Sequence, residues 1–262
     1  MRKILIFCLF LFPVLRSSAS PSLTEADSLF ELRNVQLDTL TLIADSSRIN
    51  ESMAVYQQIL CFSQDSSEIH EAAWKLLRCI YFKGLFITHD PDYRKAIYRK
   101  AIESGEKYLA VFPDSAPLHS WLGVLWGYWG EVNGKMASAK KGVPGKVREY
   151  AEKTIALDSL YLDGAGYRML GRANFKIPKI PLLLGWPSKE KALICLERAN
   201  AIGPDNLFNQ LYLAEALLER DQKERGLTML RNILNVKETR HGLASDLLIK
   251  KEAREWIKKY SD

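Results

Sequence analysis

The segment ALICLERANAIGPDNLFNQLYLAEALL, residues 192–218, contains the pattern that decides the fold. Ala192, Ala199 and Pro204 are spaced by seven and five residues, and a Leu-Ala pair follows nine residues after the proline. Apolar residues at such spacings form one face of a helix, and the Gly-Pro-Asp turn at 203–205 ends one helix before the next begins. The segment therefore predicts two antiparallel helices joined by a sharp turn.

The same spacing occurs 91 residues earlier in the chain. Ala101, Tyr108 and Pro113 repeat the steps of seven and five, and a Leu-Gly pair again follows nine residues after the proline. A weaker copy lies between these two, 46 and 45 residues from them, and consists of Val147, Thr154 and Ser159. Its Leu-Gly pair, at Leu170 and Gly171, comes two residues late. A pattern that recurs at a nearly fixed period indicates a helical repeat protein.

Helical spacing of apolar residues extends along nearly the whole chain, and long stretches that alternate at period two are missing. Capping residues predict where helices begin: Ser22 precedes a helix that runs into the 40s, and Asp65 precedes one that ends near Phe86. We therefore expect an all-α fold. Residues 20–262 should form a single helical-repeat domain, with the clearest repeats over about 92–235.

The repeat pattern resembles the tetratricopeptide repeat, in which small residues let adjacent helices approach closely. This resemblance implies antiparallel helix pairs stacked as a solenoid. The period exceeds the typical ~34 residues by about a dozen. The excess falls between the two helices of a repeat, at roughly 130–145 and 176–187, so we expect two enlarged intra-repeat turns that are neighbours on one edge of the array.

The first twenty residues have the composition of an export signal. Arg2 and Lys3 precede an apolar run at 4–15, which small residues follow. The run is shorter than the roughly 20 residues that a permanent transmembrane helix needs. We therefore expect residues 1–19 to be a signal peptide that is cleaved near Ala19, and a periplasmic or secreted mature protein without stable membrane insertion. Retention as an uncleaved anchor is the alternative.

A closer resemblance covers residues 90 to 260 and rests on the runs EKTIALD, YRMLGRANFKIPKIP and LYLAEALLERDQK. These runs are similar to the tetratricopeptide-like domain of the regulator of microtubule dynamics family. They also resemble secreted helical-repeat proteins associated with bacterial tripartite ATP-independent periplasmic transporters. Both resemblances imply a non-enzymatic scaffold. Because of the export signal, the periplasmic relatives fit the expected compartment, and a microtubule role does not carry over.

Composition and charge exclude several classes of protein. The 262 residues are 47% hydrophobic and 26% charged, which is typical of a folded globular protein and excludes collagen-like and disordered chains. The formal net charge is +6, and removal of the signal peptide lowers it to +3 because Arg2, Lys3 and Arg16 leave with no acidic residue. So small a charge does not favour nucleic acid as a partner.

The sequence contains no motif that indicates a metal site or an enzymatic reaction. The mature cysteines, Cys61, Cys79 and Cys195, include no CxxC pair, so we expect no metal site. Buried apolar thiols are the simpler interpretation, and a disulfide between Cys61 and Cys79 is the alternative. Metalloprotease, serine-nucleophile, dinucleotide and phosphate-loop motifs are missing. We therefore expect no enzymatic activity, no catalytic residue and no cofactor.

Candidate binding residues lie on one apolar helix. The stretch WLGVLWGYWG, residues 121–130, is apolar around its whole circumference. This favours a core helix whose glycines, at 123, 127 and 130, let neighbouring helices come close. The alternative is that Trp126 or Trp129 lines a ligand cavity.

The two insertions supply the other candidate residues. The first is rich in lysine and includes Lys140 and Lys141, which could hold an anion or simply be solvated. The second places Leu183 and Trp186 among prolines and should form an apolar lid or contact a partner. Two further candidates lie one turn apart on the helix before the second insertion and add positive charge: Arg168 and Arg172.

Two functions fit this sequence. The leading hypothesis is an exported scaffold that binds a protein partner, with transporter accessory component as its specific role. The second is a periplasmic carrier of a small amphiphilic or anionic ligand, held in a cavity under residues 176–187 with its carboxylate or phosphate beside the basic residues.

Overall fold

The computed structural model describes residues 21–177 and 185–261, which form eleven α-helices. The predicted signal peptide and Leu183 lie outside the described residues. The helices are α1 (Leu23–Glu31), α2 (Ser47–Phe62), α3 (Ser66–Phe86), α4 (Pro91–Val111), α5 (Ala116–Lys140), α6 (Val143–Leu157), α7 (Tyr161–Lys176), α8 (Lys189–Ile202), α9 (Leu207–Leu218), α10 (Lys223–Asn235) and α11 (Leu243–Ser261). The described residues contain no strand beyond one isolated bridge, between Asp38 and Ile43. The all-α prediction is confirmed.

The helices stack in two layers. Each helix packs against the next in the chain, and α3, α5, α7, α9 and α11 also contact one another in that order. The odd-numbered helices therefore form an inner layer, and the even-numbered helices pack outside it. This is the arrangement that the tetratricopeptide pattern predicts, because each repeat buries its apolar face only against its neighbours.

Small residues set the distance between helices, as the repeat pattern predicts. A Cβ atom added at Gly171 of α7 would lie 2.6 Å from Leu196 Cγ and 3.2 Å from the carbonyl oxygen of Ala192, both on α8. Gly226 of α10 meets Leu218 and the Ala214 carbonyl in the same way. Gly123 and Gly130 also lie against neighbours, whereas nothing lies within 4 Å of a Cβ added at Gly127. Only Gly127 departs from the expected role.

The late Leu-Gly pair of the middle copy has a conformational cause. Leu162, Asp163 and Gly164 have φ angles of 43°, 59° and 77°, so the chain makes a left-handed turn before the regular part of α7 begins. Left-handed residues other than glycine are uncommon and persist where surrounding contacts hold them. The turn lengthens the connection between α6 and α7 and delays the Leu-Gly pair.

Two boundaries differ from the sequence expectations. Helix α1 ends at Glu31 rather than in the 40s. A 3-10 turn at Leu32–Asn34 follows it, and further on Asp38 Oδ1 accepts the Leu40 N–H at 2.8 Å and stabilises a turn. The first enlarged turn is mostly helical, since α5 continues past a non-helical Gly134 to Lys140, and only Lys141 and the left-handed Gly142 separate it from α6. The first insertion is thus an extended helix.

The cysteines do not form the bridge considered between Cys61 and Cys79. Cys79 is a free, fully buried thiol, and burial raises its pKa to about 12. Cys61 occupies an exposed position near the end of α2, so the buried-thiol interpretation holds for Cys79 and is wrong for Cys61. Cys195 is free and partly buried.

The first and last repeats contact each other. Arg33 Nη2 donates to the His241 carbonyl at 3.3 Å, and the Ala244 N–H donates to Asn34 Oδ1 at 3.0 Å. Ala244 also belongs to the hydrophobic core that contains Ala26 and Phe30 of α1, with Leu247 and Leu248 packed against it. The beginning of α11 therefore lies against the end of α1, so the last helix of the stack contacts the first.

We predict opposite effects for alanine at two glycines. Gly171→Ala should lower the free energy of unfolding by about 1–3 kcal/mol, because the new methyl group overlaps Leu196 and the α8 backbone. Gly127→Ala, which meets open space within a helix, should raise it by up to about 1 kcal/mol. Urea unfolding of both variants measures the difference. Equal effects would contradict the assignment of Gly171 as the point of close approach.

The bond between His241 and the start of α9, beside the contact between the first and last repeats, should weaken in acid. His241 Nε2 accepts the Leu207 N–H at 3.1 Å, and burial lowers the pKa of this imidazole, so the folded protein favours its neutral form. Its contribution to stability is present above the ordinary histidine pKa and is lost as pH falls through the lowered value. Stability should therefore drop between pH 7.5 and pH 5, and His241→Gln should reduce this drop.

Thermal unfolding at both pH values measures the effect. His89→Gln is the matched control, because His89 lies in the loop before α4 and not at the contact between the repeats. If His241→Gln and His89→Gln change the pH dependence alike, His241 does not carry it.

Candidate functional site

The inner layer carries a group of polar and aromatic side chains, and we call the surface that they form the channel. The channel is defined by polar and aromatic side chains from five helices: Tyr81 of α3, Tyr128 and Glu131 of α5, Arg168 and Arg172 of α7, Tyr212 and Glu215 of α9, and Glu252 of α11. Their charges act on one another across helices that are distant in sequence. The inner faces of α3, α7 and α9 are therefore close in space.

Three tyrosines form the middle of the channel. Burial raises the pKa of Tyr81 and Tyr128, and the charge of a Tyr212 phenolate would raise both further. Burial likewise raises the pKa of Tyr212 to about 12. The rings of Tyr81 and Tyr128 are 5.3 Å apart, and all three side chains remain partly exposed. Side chains that are accessible and yet strongly desolvated lie in a concave surface.

Arg172 is held by a buried ion pair. Its Nη1 lies 2.6 Å from Oε2 of the fully buried Glu215, and its guanidinium carbon lies 4.0 Å from the centre of the Tyr212 ring. Lys176 Nζ lies 3.4 Å from the same carboxylate oxygen. Desolvation acts to lower the pKa of Arg172, but Tyr212 and Glu215 outweigh it and raise this pKa. The pair joins α7 to α9.

Arg168 has a different environment, one turn earlier on α7. Its Nη1 donates to Asn209 Oδ1 at 2.9 Å and to the Leu162 carbonyl at 3.2 Å, which are both neutral acceptors. No carboxylate among the described residues forms an ion pair with it. Desolvation lowers its pKa. Arg168 thus brings an uncompensated positive charge to the channel.

Comparison with protein families gives a match over residues 36–261 to the family described as Regulator of microtubule dynamics protein 1-3. The chain belongs to this family. The match confirms the resemblance inferred from residues 90 to 260 and extends it toward the N-terminus. No curated protein sequence matches the chain.

Solved structures show the fold of this Regulator of microtubule dynamics family member. A thermophilic TPR protein of Thermus thermophilus, TTC0263, shares 16% sequence identity at a TM-score of 0.56, with 89% of this chain and 99% of that chain covered. MamA shares 16% identity at a TM-score of 0.45, with 80% and 93% covered. The first likeness shows a tetratricopeptide-like helical repeat, a fold that generally serves as a protein-interaction scaffold.

The predicted binding residues do not form one site. Arg168 and Arg172 lie in the channel. Trp186 lies with Leu170 and Asn174 of α7 beside a pocket of about 170 Å³, and the guanidinium carbon of Arg148 is 5.4 Å from its ring centre. Residues two apart on a helix are roughly 200° apart around its axis. The pocket and the channel are therefore on different sides of α7.

The other predicted residues lie on and just after α5, outside the residues that define the channel. Trp126 is 8% exposed, and its Nε1 donates to Glu106 of α4 at 3.3 Å, while Lys146 of α6 lies over its ring at 4.8 Å. Trp129 contacts Trp126 edge to face. Lys140 is the last residue of α5 and Lys141 follows it. Both are exposed, and their positive charge offsets the negative end of the helix dipole.

The sequence analysis missed most of the channel. Tyr81, Tyr128, Tyr212, Glu131, Glu215 and Glu252 were not candidates. The available signal is that Tyr212 and Glu215 flank the Leu-Ala pair of the third repeat copy, at positions that face inward in a tetratricopeptide first helix. A search for polar residues that face inward on the first helix of each repeat identifies these two.

Two further properties concern the described ranges alone. Their His, Cys, Asp and Glu residues nowhere form a group of three that could hold a metal ion. None of the helices in these ranges has an apolar stretch long enough to cross a bilayer.

The ion pair between Arg172 and Glu215 should matter for stability. Glu215→Leu should lower the free energy of unfolding by about 3 kcal/mol, because it leaves Arg172 in the channel without its counter-charge. The double variant Arg172→Met with Glu215→Leu should lose less, since no unpaired charge of that pair remains. Glu197→Gln should cost less than about 1 kcal/mol, because its pair with Arg225 is exposed.

Chemical unfolding of the three variants gives the comparison. A double variant that is less stable than Glu215→Leu would contradict this account of the pair.

Proposed function

We propose that the protein is an exported, non-enzymatic scaffold that binds a segment of a partner polypeptide in the channel. The observation that carries this proposal is the composition of the channel: three partly exposed tyrosines and an uncompensated arginine lie on the inner layer. Tyrosine and arginine are among the residues that most often dominate the energy of protein interfaces. Their location on the concave surface agrees with the way helical repeats present binding sites.

The finer role that we propose is that of an accessory component of a transport system in the periplasm. Its support is the N-terminal sequence, in which a basic start, an apolar run and small residues have the order of an export signal. It also rests on the resemblance to secreted helical-repeat proteins of periplasmic transporters. N-terminal sequencing of the protein from its native cells should begin at Ser20, and a chain that retains Met1 would overturn export by cleavage.

The carrier hypothesis has weaker support. The pocket beside Trp186 measures about 170 Å³, and pockets that enclose a small ligand measure roughly 300–1,000 Å³. A carboxylate or phosphate held there would also lie on the other side of α7 from the two arginines of the channel.

Photo-crosslinking from inside and outside the channel tests the proposed function. Benzoylphenylalanine in place of Tyr128 lies in the channel, and in place of Ile194 it lies on the exposed face of the outer helix α8. In native cells the first should form an adduct with a polypeptide, and the second should not form that adduct. An adduct only with lipid, or the same adducts at both positions, would contradict a protein-binding channel.

A blocked channel should lose its partner. Gly127 lies one turn before Glu131 on the same face of α5, and nothing lies within 4 Å of a Cβ added there. Gly127→Trp should therefore fill part of the channel and weaken partner binding about tenfold or more, by excluding an interface residue worth roughly 1.4 kcal/mol or more. Gly127→Ala is the matched control and should bind like the wild-type protein. Circular dichroism verifies that both variants are folded.

A further inference from the structure

The channel contains two arginines, one turn apart, whose charges have different surroundings. The positive charge of Arg172 is balanced by Glu215 at 2.6 Å and covered by the Tyr212 ring. The Arg168 guanidinium donates hydrogen bonds to an amide oxygen and a backbone carbonyl, and to no carboxylate of the described residues. Residues four apart on a helix are separated by roughly 6 Å along its axis, so Arg168 and Arg172 lie at different positions along the channel.

The bonds of Arg168 leave much of its guanidinium free. Both of its hydrogen bonds use Nη1, and among the described residues no acceptor is bonded to its Nε or Nη2. These two groups form the edge that accepts a carboxylate through two parallel bonds. The side chain is partly exposed, so this edge is open to a ligand.

The neighbouring carboxylates of Asp163 and Glu215 bond to groups other than Arg168. The carboxylate of Asp163 acts on Arg168 from a distance, but its Oδ2 accepts a hydrogen bond from Asn206 Nδ2 at 2.9 Å. Arg172 and Lys176 contact Oε2 of Glu215, and its Oε1 is buried without a hydrogen-bond partner among the described residues. Within the described part of the chain, no carboxylate is therefore in ion-pair contact with Arg168, and a desolvated charge is costly unless it is paired.

Resting on the proposed function, we propose that Arg168 binds a carboxylate of the partner segment, either an acidic side chain or the chain terminus. A single negative charge matches the single uncompensated guanidinium. A phosphate, with nearly two negative charges, would be repelled by Asp163 and by the acidic residues around Arg172. The Tyr212 hydroxyl, which bonds to no described residue and whose ring borders this part of the channel, supplies a further donor.

Small probes test the carboxylate site without the partner. Phenylacetate carries a carboxylate and an aromatic ring, phenylacetamide is its neutral isostere, and methyl phosphate carries the competing anion. In ¹⁵N-labelled protein, the Nε–H resonance of Arg168, assigned by its loss in Arg168→Gln, should shift and saturate with phenylacetate and stay unchanged with phenylacetamide. Phenylacetate should bind Arg168→Gln at least about tenfold more weakly, whereas Arg225→Gln, outside the channel, should bind it normally.

Three results would overturn the inference: a resonance of Arg168 that does not respond to phenylacetate, an equal response to phenylacetamide, or tighter binding of methyl phosphate than of phenylacetate. Anionic vesicles of phosphatidylglycerol and phosphatidylcholine form a further arm, and displacement of phenylacetate by them would assign the site to lipid and overturn the inference as well.

The partner adduct separates this inference from the proposed function. If Arg168→Gln abolishes the crosslink from position 128 while Arg225→Gln retains it, both stand. If Gly127→Trp abolishes the crosslink but Arg168→Gln leaves it unchanged, the carboxylate site fails and the protein-binding function stands. If no polypeptide crosslinks from the channel of the wild-type protein, the proposed function fails.

Discussion

The buried amide of Asn209 fixes the part of the structure on which the channel depends. Its Nδ2 donates to the carbonyls of Asp163, Ala199 and Gly203 at 2.9–3.0 Å, and its Oδ1 accepts from Arg168. One side chain thus joins the left-handed turn at the start of α7, the end of α8, the turn into α9 and the arginine of the channel. Because the amide is fully buried, loss of any partner would leave a polar group without compensation.

The same contacts explain why the left-handed turn persists. Leu162 and Asp163 occupy a conformation that non-glycine residues avoid, and a strained backbone of this kind needs support from its surroundings. Asn206 binds the carboxylate of Asp163, Asn209 binds its carbonyl, and Arg168 binds the carbonyl of Leu162. The turn in return places Arg168 beside Asn209. The polar groups of α7 and α9 are therefore mutually dependent.

Sequence reasoning recovers the parts of this protein that local pattern determines. The glycines of the Leu-Gly pairs, Gly123 and Gly171, mark positions where a larger side chain would meet a neighbouring helix, and Ala192 and Ala199 are fully buried. This requirement for small residues is visible in one repeat at a time. The Lys-rich insertion was predicted as an enlarged turn from the excess length of the repeat, whereas α5 continues through it on both sides of Gly134. The channel was not predictable in the same way. Arg172 meets Glu215 from 43 residues away, and such pairings depend on how repeats stack rather than on the repeat pattern.

The contact between the two ends of the stack limits what the channel can accept. In an open solenoid, terminal repeats expose their packing faces and need polar caps, and the concave surface can widen or narrow as repeats shift. Here Arg33 and Asn34 bond to His241 and Ala244, and the apolar start of α11 shares the core of α1. These contacts consequently fix the inner circumference. A folded domain could not enter between the ends without breaking them, whereas a single extended or helical segment could enter along the axis of the stack. Under the proposed function, the closure of the repeats favours a partner that inserts a segment of its chain, and that segment would pass the desolvated tyrosines and Arg168.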